Sequence, residues 1–240
     1  MVRLTQEVIE GAYQYINAVN MREISLRGMD IAVLENLGAT RDFFDTIDLT
    51  DNFIRKLENL PVLKRLNTLI MHNNHVMFIQ DDIGAQVPNL QTLVLTHNSL
   101  NQLGDIDSLA TCKKLEYLTL TGNPLTHNVD YRHYVIHKIP SVRVLDYKRV
   151  KDAEREEARK KFKGKKGAQL RKQLGQKTEH LTEKEEVQSK LKFLSAEDKK
   201  AVEEAIKNAK TLAEVNELTA KLMVGQIPNA TQDAEPMVTE

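Results

Sequence analysis

Aliphatic residues recur along the first 150 positions in one frame, L-x-x-L-x-L-x-x-N-x-L, at spacings in the twenties. Four copies are nearly complete: Phe44-Ile47-Leu49-Asn52-Ile54, Leu66-Leu69-Met71-Asn74-Val76, Leu90-Leu93-Leu95-Asn98-Leu100 and Leu115-Leu118-Leu120-Asn123-Leu125. An earlier copy keeps Ile24, Leu26 and Ile31 but carries Met29 where the asparagine belongs, and a last, truncated copy keeps Val142 and Leu145. Degenerate end copies are expected where a repeat array must be sealed. The L-x-L pair alternates with period two and predicts a short strand with both leucines pointing inward. The asparagine can bond backbone groups left unpaired where the chain turns, which an apolar residue could not do.

No single copy can bury its own apolar edge, so the copies must stack. The pattern predicts an α/β leucine-rich-repeat solenoid: a curved parallel sheet on the concave side, short helices on the convex side, and a cap at each end. Val8, Ile9, Ala12, Tyr15, Ile16 and Val19 fall at helical spacing and predict an N-terminal amphipathic helix over 5–18. Tyr131 to Lys138 predicts a cap helix, broken by Ile139-Pro140 and followed by a closing strand over 142–146. Residues 1–157 thus form the repeat domain with its caps. Residues 158–194 read as a flexible basic linker, 195–228 as a helical hairpin and 229–240 as a disordered tail. The hairpin reading rests on helix-start signals at Ser195 and Thr211 and on the stripe Leu212, Val215, Leu218 and Leu222.

Strand residues flanking the core leucines would face outward on the concave side. They include Glu23 and Arg27 in the first copy, Asp48 in the second, and Thr68, Ile70 and His72 in the third. Thr92, Val94 and Thr96 follow in the fourth, and Tyr117 and Thr119 in the fifth. The centre of this face is apolar, Ile70 beside Val94, ringed by threonines, with acids toward the first copies. One face of an amphipathic helix carrying some positive charge would match it. The alternative is that exposed strands simply favour β-branched residues.

Hydrophobic content of 41% suffices for a core, and with no Trp and only 5% aromatics that core must be aliphatic. The single cysteine, Cys112, cannot form an internal disulfide, and no run of 18 uncharged apolar residues occurs, so a reducing compartment and no membrane span are expected. No phosphate-binding glycine loop or nucleophile elbow is found, which speaks against an enzyme and against a cofactor. His72 with His75 and His133 with His137 have metal-like spacing, but no third ligand accompanies either pair, so no metal site is expected. The formal net charge of zero conceals segments of −4 over 1–157, +9 over 158–177 and −5 over 178–240. The cations at 148–151 and 159–166 fit phosphate binding, and equally a solvated linker or a nuclear-import signal.

Several stretches outside the generic repeat are more specific. Met1-Val2-Arg3-Leu4-Thr5, Leu26-Arg27-Gly28, Glu35-Asn36-Leu37-Gly38-Ala39-Thr40 and Phe162-Lys163-Gly164-Lys165-Lys166-Gly167-Ala168-Gln169-Leu170 resemble the A-prime family of the U2 small nuclear ribonucleoprotein. The tail, from Ala205 through Thr211-Leu212-Ala213-Glu214-Val215 to Gly225-Gln226-Ile227-Pro228, is similar too. The resemblance implies a nuclear, non-enzymatic role in pre-mRNA splicing among other spliceosomal proteins. It implies an RNA-recognition-motif partner, B-double-prime, with one helix clasped by the concave sheet. A stem-loop of U2 small nuclear RNA would be bound mainly through that partner, with Lys148, Arg149 and Lys151 toward phosphate. A docking regulator of a phosphatase, built on the same repeat and cap, is the alternative. An acidic histone-binding protein would need a long Asp/Glu tail, and a ligase adaptor an additional motif; neither is seen.

Overall fold

The computed structural model describes residues 2–178. The chain opens with α1 (Gln6–Gly11), whose first turn is capped by the Thr5 hydroxyl accepting from the Val8 amide, and β1 (Tyr13–Ile16). There follow β2 (Arg22–Ser25), β3 (Thr46–Asp48), β4 (Lys56–Leu57), β5 (Thr68–Ile70), β6 (Phe78–Ile79), the single turn α2 (Ile83–Gln86), β7 (Thr92–Val94) and β8 (Tyr117–Thr119). The C-terminal part adds α3 (Tyr131–Lys138), β9 (Val144–Leu145), β10 (Lys148–Arg149), α4 (Asp152–Lys161) and α5 (Gly164–Leu174).

One sheet contains β1-β2-β3-β5-β7-β8-β9-β10 in that order. From β2 to β9 the pairing is parallel and in unbroken register, so Ile24, Ile47, Leu69, Leu93, Leu118 and Leu145 form one buried line. Leu26, Leu49, Met71, Leu95 and Leu120 lie buried two residues further along each copy. Between strands the chain returns through short 3-10 segments at Leu37–Thr40, Leu103–Thr111 and Pro124–His127, and through the small β4–β6 pair. This is the α/β leucine-rich-repeat architecture that the frame predicts. No helix among the described residues is long and apolar enough to cross a membrane.

The frame asparagines lock neighbouring coils together. The Asn98 amide donates to the Met71 and Thr96 carbonyls (2.8 and 3.3 Å), and its oxygen accepts from the Val76 amide at 2.9 Å. Asn74 does the same for Leu49, His72 and Ile54, and Asn123 for Leu95, Leu120 and Leu100. Asn52 also serves the degenerate first copy. Its oxygen accepts from both Met29 and Ile31, so the coil that lacks its own asparagine is held by the next one. All four side chains are buried, where an unpaired backbone group is costly.

The N-terminal cap departs from the helix expected over 5–18. Helix α1 ends at Gly11, and the chain then pairs antiparallel with β2. Tyr13-Gln14-Tyr15-Ile16 suits a strand, and pairing it gives the first parallel strand a partner that a helix laid on the coil could not supply. Ile9 and Ala12 are buried as expected, whereas Ile16 (65%) and Val19 (70%) are exposed. Tyr15 instead lies opposite Glu23 and donates its hydroxyl to the carboxylate at 2.5 Å, while the Asn17 amide takes the other oxygen at 2.9 Å. That bond to Glu23, with burial behind it, pushes the Tyr15 phenol up to about 12.

The C-terminal cap contains the predicted helix at Tyr131–Lys138 and then extends further than expected. The closing strand is confined to β9, because β10 folds back on it as a hairpin. Residues 158–178 do not form a flexible linker; α4 and α5 are packed helices that continue the solenoid's end. Composition hid this, since the apolar positions that dock them are few. Ala158 and Phe162 are buried, and the Phe162 ring stacks on His137 and meets Tyr134 edge-on. Gly167 lies so close that an added Cβ would sit 2.3 Å from the Phe162 carbonyl carbon. Arg132 fastens α4 to the cap with a two-pronged bond to Glu154 (2.7 and 3.1 Å) and contacts to the Leu145 and Arg149 carbonyls. Arg155 donates to the Pro140 and Val142 carbonyls. The remainder of the linker expected over 158–194, the hairpin expected over 195–228 and the tail over 229–240 lie outside the described residues.

Replacing Asn98 by alanine orphans a buried amide and a buried carbonyl, and should cost about 3 kcal/mol or more in urea unfolding. An exposed control such as Asn101→Ala should stay within about 0.5 kcal/mol. The Arg132 bond holds Glu154 well below the usual carboxylate range, at about 2. A depressed acid stabilises above its unfolded value and loses that stabilisation as pH falls through the folded one. Glu154→Gln should therefore lower stability by about 1–2 kcal/mol at pH 7, with the gap to wild type closing between about pH 5 and pH 2. In a phenolate absorbance titration, Glu23→Gln should bring one tyrosine down from about 12 toward about 10.

Candidate protein-binding face and its basic edge

The strand register arranges the outward side chains in ladders. One runs Glu23, Thr46, Thr68, Thr92, Tyr117, Val144, and the next Ser25, Asp48, Ile70, Val94, Thr119. A third contains Arg27, Thr50, His72 and Thr96, just past the strand ends. Concave curvature crowds these ladders, so that several expected site residues are more sheltered than an isolated strand would make them. Thr46, Thr50, Thr96 and Thr119 are buried, while Thr68, Ile70, His72, Thr92 and Val94 are half-buried and Tyr117 is exposed. Ile70 and Val94 are direct register partners at the centre, and neither is buried in the core.

The charged residues of the face are mostly occupied. Glu23 is buried and engaged by Tyr15 and Asn17, and Arg27 is paired with Asp51 at 2.8 Å. Asp48 accepts the Thr50 amide with one oxygen and is half-buried. It is the acid the face can still offer beside the Ile70–Val94 centre. The Thr96 hydroxyl is buried and has no hydrogen-bond partner among the described residues. His72 meets His97 edge-on at 5.5 Å, and His75 turns away to stack on Phe53, so this pair does not converge. His133 faces Glu157 and His137 packs on Phe162. Among the described residues no three His, Cys, Asp or Glu side chains come together as a metal site. Cys112 is buried, and burial pushes its thiol up to about 11, as befits a structural thiol.

Sequence reasoning missed the wall at one end of this face. Antiparallel pairing sets Tyr13 opposite Ser25 and Tyr15 opposite Glu23, which puts both tyrosines on the concave side, their rings stacked at 5.0 Å. Tyr13 is 71% exposed. The signal was present as a Tyr-x-Tyr alternation of period two, masked by apolar residues that also fit helical spacing. The face therefore runs from Tyr13 and Tyr15 to Tyr117, aromatic at both ends and aliphatic in the middle.

At the other edge, Lys148, Arg149 and Lys151 are all exposed, and none of their side chains has a hydrogen bond or ion pair among the described residues. They do not share one face. Arg149 lies opposite Val144 on the concave side, whereas Lys148 lies opposite Leu145, on the other face of the sheet. Lys151 stands just before α4, its amide donating to Glu154 at 2.8 Å.

A leucine-rich-repeat family model matches residues 1–175. Among relatives, the probable U2 small nuclear ribonucleoprotein A' of Caenorhabditis elegans is 52% identical over 234 residues, covering 95% of this chain and 92% of its own. The U2 small nuclear ribonucleoprotein A' of Homo sapiens is 48% identical over 238 residues, with coverage of 98% and 93%. A crystal structure of the Drosophila melanogaster SNF/U2A' complex contains a chain that matches with a TM-score of 0.70 and 45% identity, over 72% of this chain and 99% of that one. The end-to-end coverage extends through α4 and α5 and beyond the repeats, so generic repeat similarity does not account for it. The chain belongs to the U2 small nuclear ribonucleoprotein A' family, a non-catalytic family built on the leucine-rich repeat.

Proposed function

We propose that this chain is a nuclear component of the U2 small nuclear ribonucleoprotein in pre-mRNA splicing. It holds one helix of an RNA-recognition-motif partner, B-double-prime, on its concave face. The observation that carries this reading is the half-buried, uncharged centre at Ile70 and Val94, bounded by Thr68 and Thr92 and by stacked tyrosines at one end. An amphipathic helix would lay its apolar stripe there. A polar group of that helix would satisfy the Thr96 hydroxyl, and a cation would meet Asp48. The names of the relatives, and the Drosophila complex in which a U2A' chain is joined to SNF, support both the particle and the presence of a protein partner.

The partner reads the bases of the U2 RNA stem-loop. This chain stiffens the partner's helix and, through Lys148, Arg149 and Lys151, adds phosphate contacts on the stem. Division of labour of that kind suits the sequence order, because among the described residues Tyr147 is the one exposed aromatic adjoining those three cations along the chain, and a single ring makes a poor platform for stacking bases.

Ile70→Ser with Val94→Ser should sharply weaken capture of the partner from nuclear extract while lowering the urea midpoint only modestly, since both side chains face outward. Asp at both positions would stack carboxylates beside Asp48 and destabilise the sheet as well. Undiminished capture would remove the concave-face assignment. Recovery of a phosphatase in place of a spliceosomal RNA and its RNA-recognition-motif protein would replace the whole reading. Lys151→Ala should flatten the salt dependence of RNA binding by the reconstituted complex by about one phosphate equivalent.

A further inference from the structure

The first turn of helix α5 is built against the helix dipole, although its last turn, with Arg171 and Lys172, obeys it. Helix N-termini favour acids and C-termini favour cations, and α4 obeys, with Asp152 and Glu154 in its first turn and Arg159, Lys160 and Lys161 in its last. Helix α5 has no acid in its first turn. Lys163 stands at its N-cap and Lys165 and Lys166 follow at once, all exposed. Uncompensated breaches of a local rule concentrate at functional positions.

The rest of the helix shows what those cations serve. Gly167, Leu170 and Leu174 form the docking stripe, buried or half-buried. The opposite stripe, at helical spacing, consists of Lys165, Lys166, Gln169, Lys172 and Gln173 and continues to Gln176; all six are exposed. None of the three lysines has an ion pair or hydrogen bond among the described residues, and no Asp or Glu occurs between 158 and 178.

This stripe is held rigid at both ends. Before it, Phe162 is buried and Gly167 packs on the Phe162 backbone. After it, residues 175–178 lie across the 3-10 segment that begins at Leu103. A Cβ on Gly104 would sit 2.4 Å from the Gln176 carbonyl oxygen, so only glycine admits the strap there. Asp105 then accepts from the Thr178 amide at 2.8 Å and the Thr178 hydroxyl at 2.7 Å, and Lys177 pairs with Asp81. A solvated linker or a transport signal requires no such clamping.

We infer that the lysine and glutamine stripe of α5 is an RNA-duplex contact of this chain's own, additional to the one assigned to Lys148, Arg149 and Lys151. Lysines neutralise phosphates. Glutamine amides both donate and accept, which suits the 2′-hydroxyls and base edges of the wide, shallow A-form minor groove. An acidic protein surface would use the lysines but gain little from the amides.

The test uses the full chain without a partner and a fluorescent RNA hairpin of arbitrary stem sequence, followed by anisotropy across a salt series. Lys165→Gln with Lys166→Gln and Lys172→Gln should weaken binding about tenfold at low salt and reduce the slope of log affinity against log salt by about two. Its unfolding midpoint should stay nearly level, because removing Lys165 and Lys166 from the N-terminal turn offsets the loss of Lys172 from the last turn. Gln169→Ala with Gln173→Ala should narrow the preference for RNA over a DNA duplex of the same sequence. Unchanged RNA affinity of the triple variant would overturn the inference, and so would polyglutamate binding as tight as RNA. A parallel variant with Lys148, Arg149 and Lys151 changed to alanine separates the two contacts. Loss in that variant alone places the RNA there and sinks α5; loss in the α5 variant alone leaves α5 standing and removes the other assignment.

Discussion

The structure depends on how buried backbone is satisfied where each coil leaves the sheet. A strand of three residues is too short to carry the chain past the core, so the turn itself must be made inside, among groups that water cannot reach. The same solution recurs in every complete copy. A residue in left-handed conformation, Asp51, Asn73, His97 or Gly122, is followed by the buried asparagine at 52, 74, 98 or 123. The first three are residue types that tolerate positive φ at modest cost, and the fourth is glycine, where a Cβ would meet the His97 ring at 2.5 Å. Turn and asparagine act as one unit. The first bends the chain, and the second pairs the carbonyls and amide that the bend exposes.

Because that unit repeats with one register, the sheet above it is uniform, and everything presented on the concave side is set by position rather than by local invention. Residues one place before and after each core leucine must face outward, whatever they are. The curvature required to close the inner side over a bulkier outer side then draws adjacent ladders together. Threonines that would be open on a flat sheet become sheltered, as at Thr46 and Thr119. A half-buried aliphatic centre at Ile70 and Val94 follows from geometry as much as from residue choice, and a partner gains by covering it.

What could be read in advance was what the repeat enforces. The core leucines, the asparagine ladder, the sheet direction and the helix at Tyr131–Lys138 all follow from periodicity and turn chemistry. The ends were harder, because only one neighbour constrains them. Val8, Ile9, Ala12, Tyr15, Ile16 and Val19 satisfy helical spacing, yet a strand edge needing partners outweighed that preference and redirected Tyr13 and Tyr15 to the concave face. Over 158–178 the charge count dominated the reading. Its five docking residues, Ala158, Phe162, Gly167, Leu170 and Leu174, are too sparse to register as a periodic pattern beside nine cations. A buried glycine leaves no hydrophobic trace at all, although Gly167 and Gly104 decide how closely backbone can approach backbone.

The distribution of charge separates structure from recognition more sharply than the sequence total of zero suggests. Several acids of the repeat domain are engaged internally. Asp45 takes the Arg22 amide and Arg65, Asp51 takes Arg27 and Asn73, Asp146 takes the Leu120 amide and Tyr131, and Glu154 takes Arg132. The −4 of residues 1–157 is a net figure that already counts the arginines in these pairs, and it contrasts with the +9 of 158–177. Among the described residues, Lys165, Lys166 and Lys172 of α5 have no such internal partners, whereas Lys161 and Lys177 pair with Asp130 and Asp81. Under the proposed function, a concave face whose charges are largely engaged would select by shape and apolar contact, and a C-terminal cap with unpaired cations would select by charge. Two ligands so distinguished would not compete for one surface, because the chemistry that draws each is absent from the other's site.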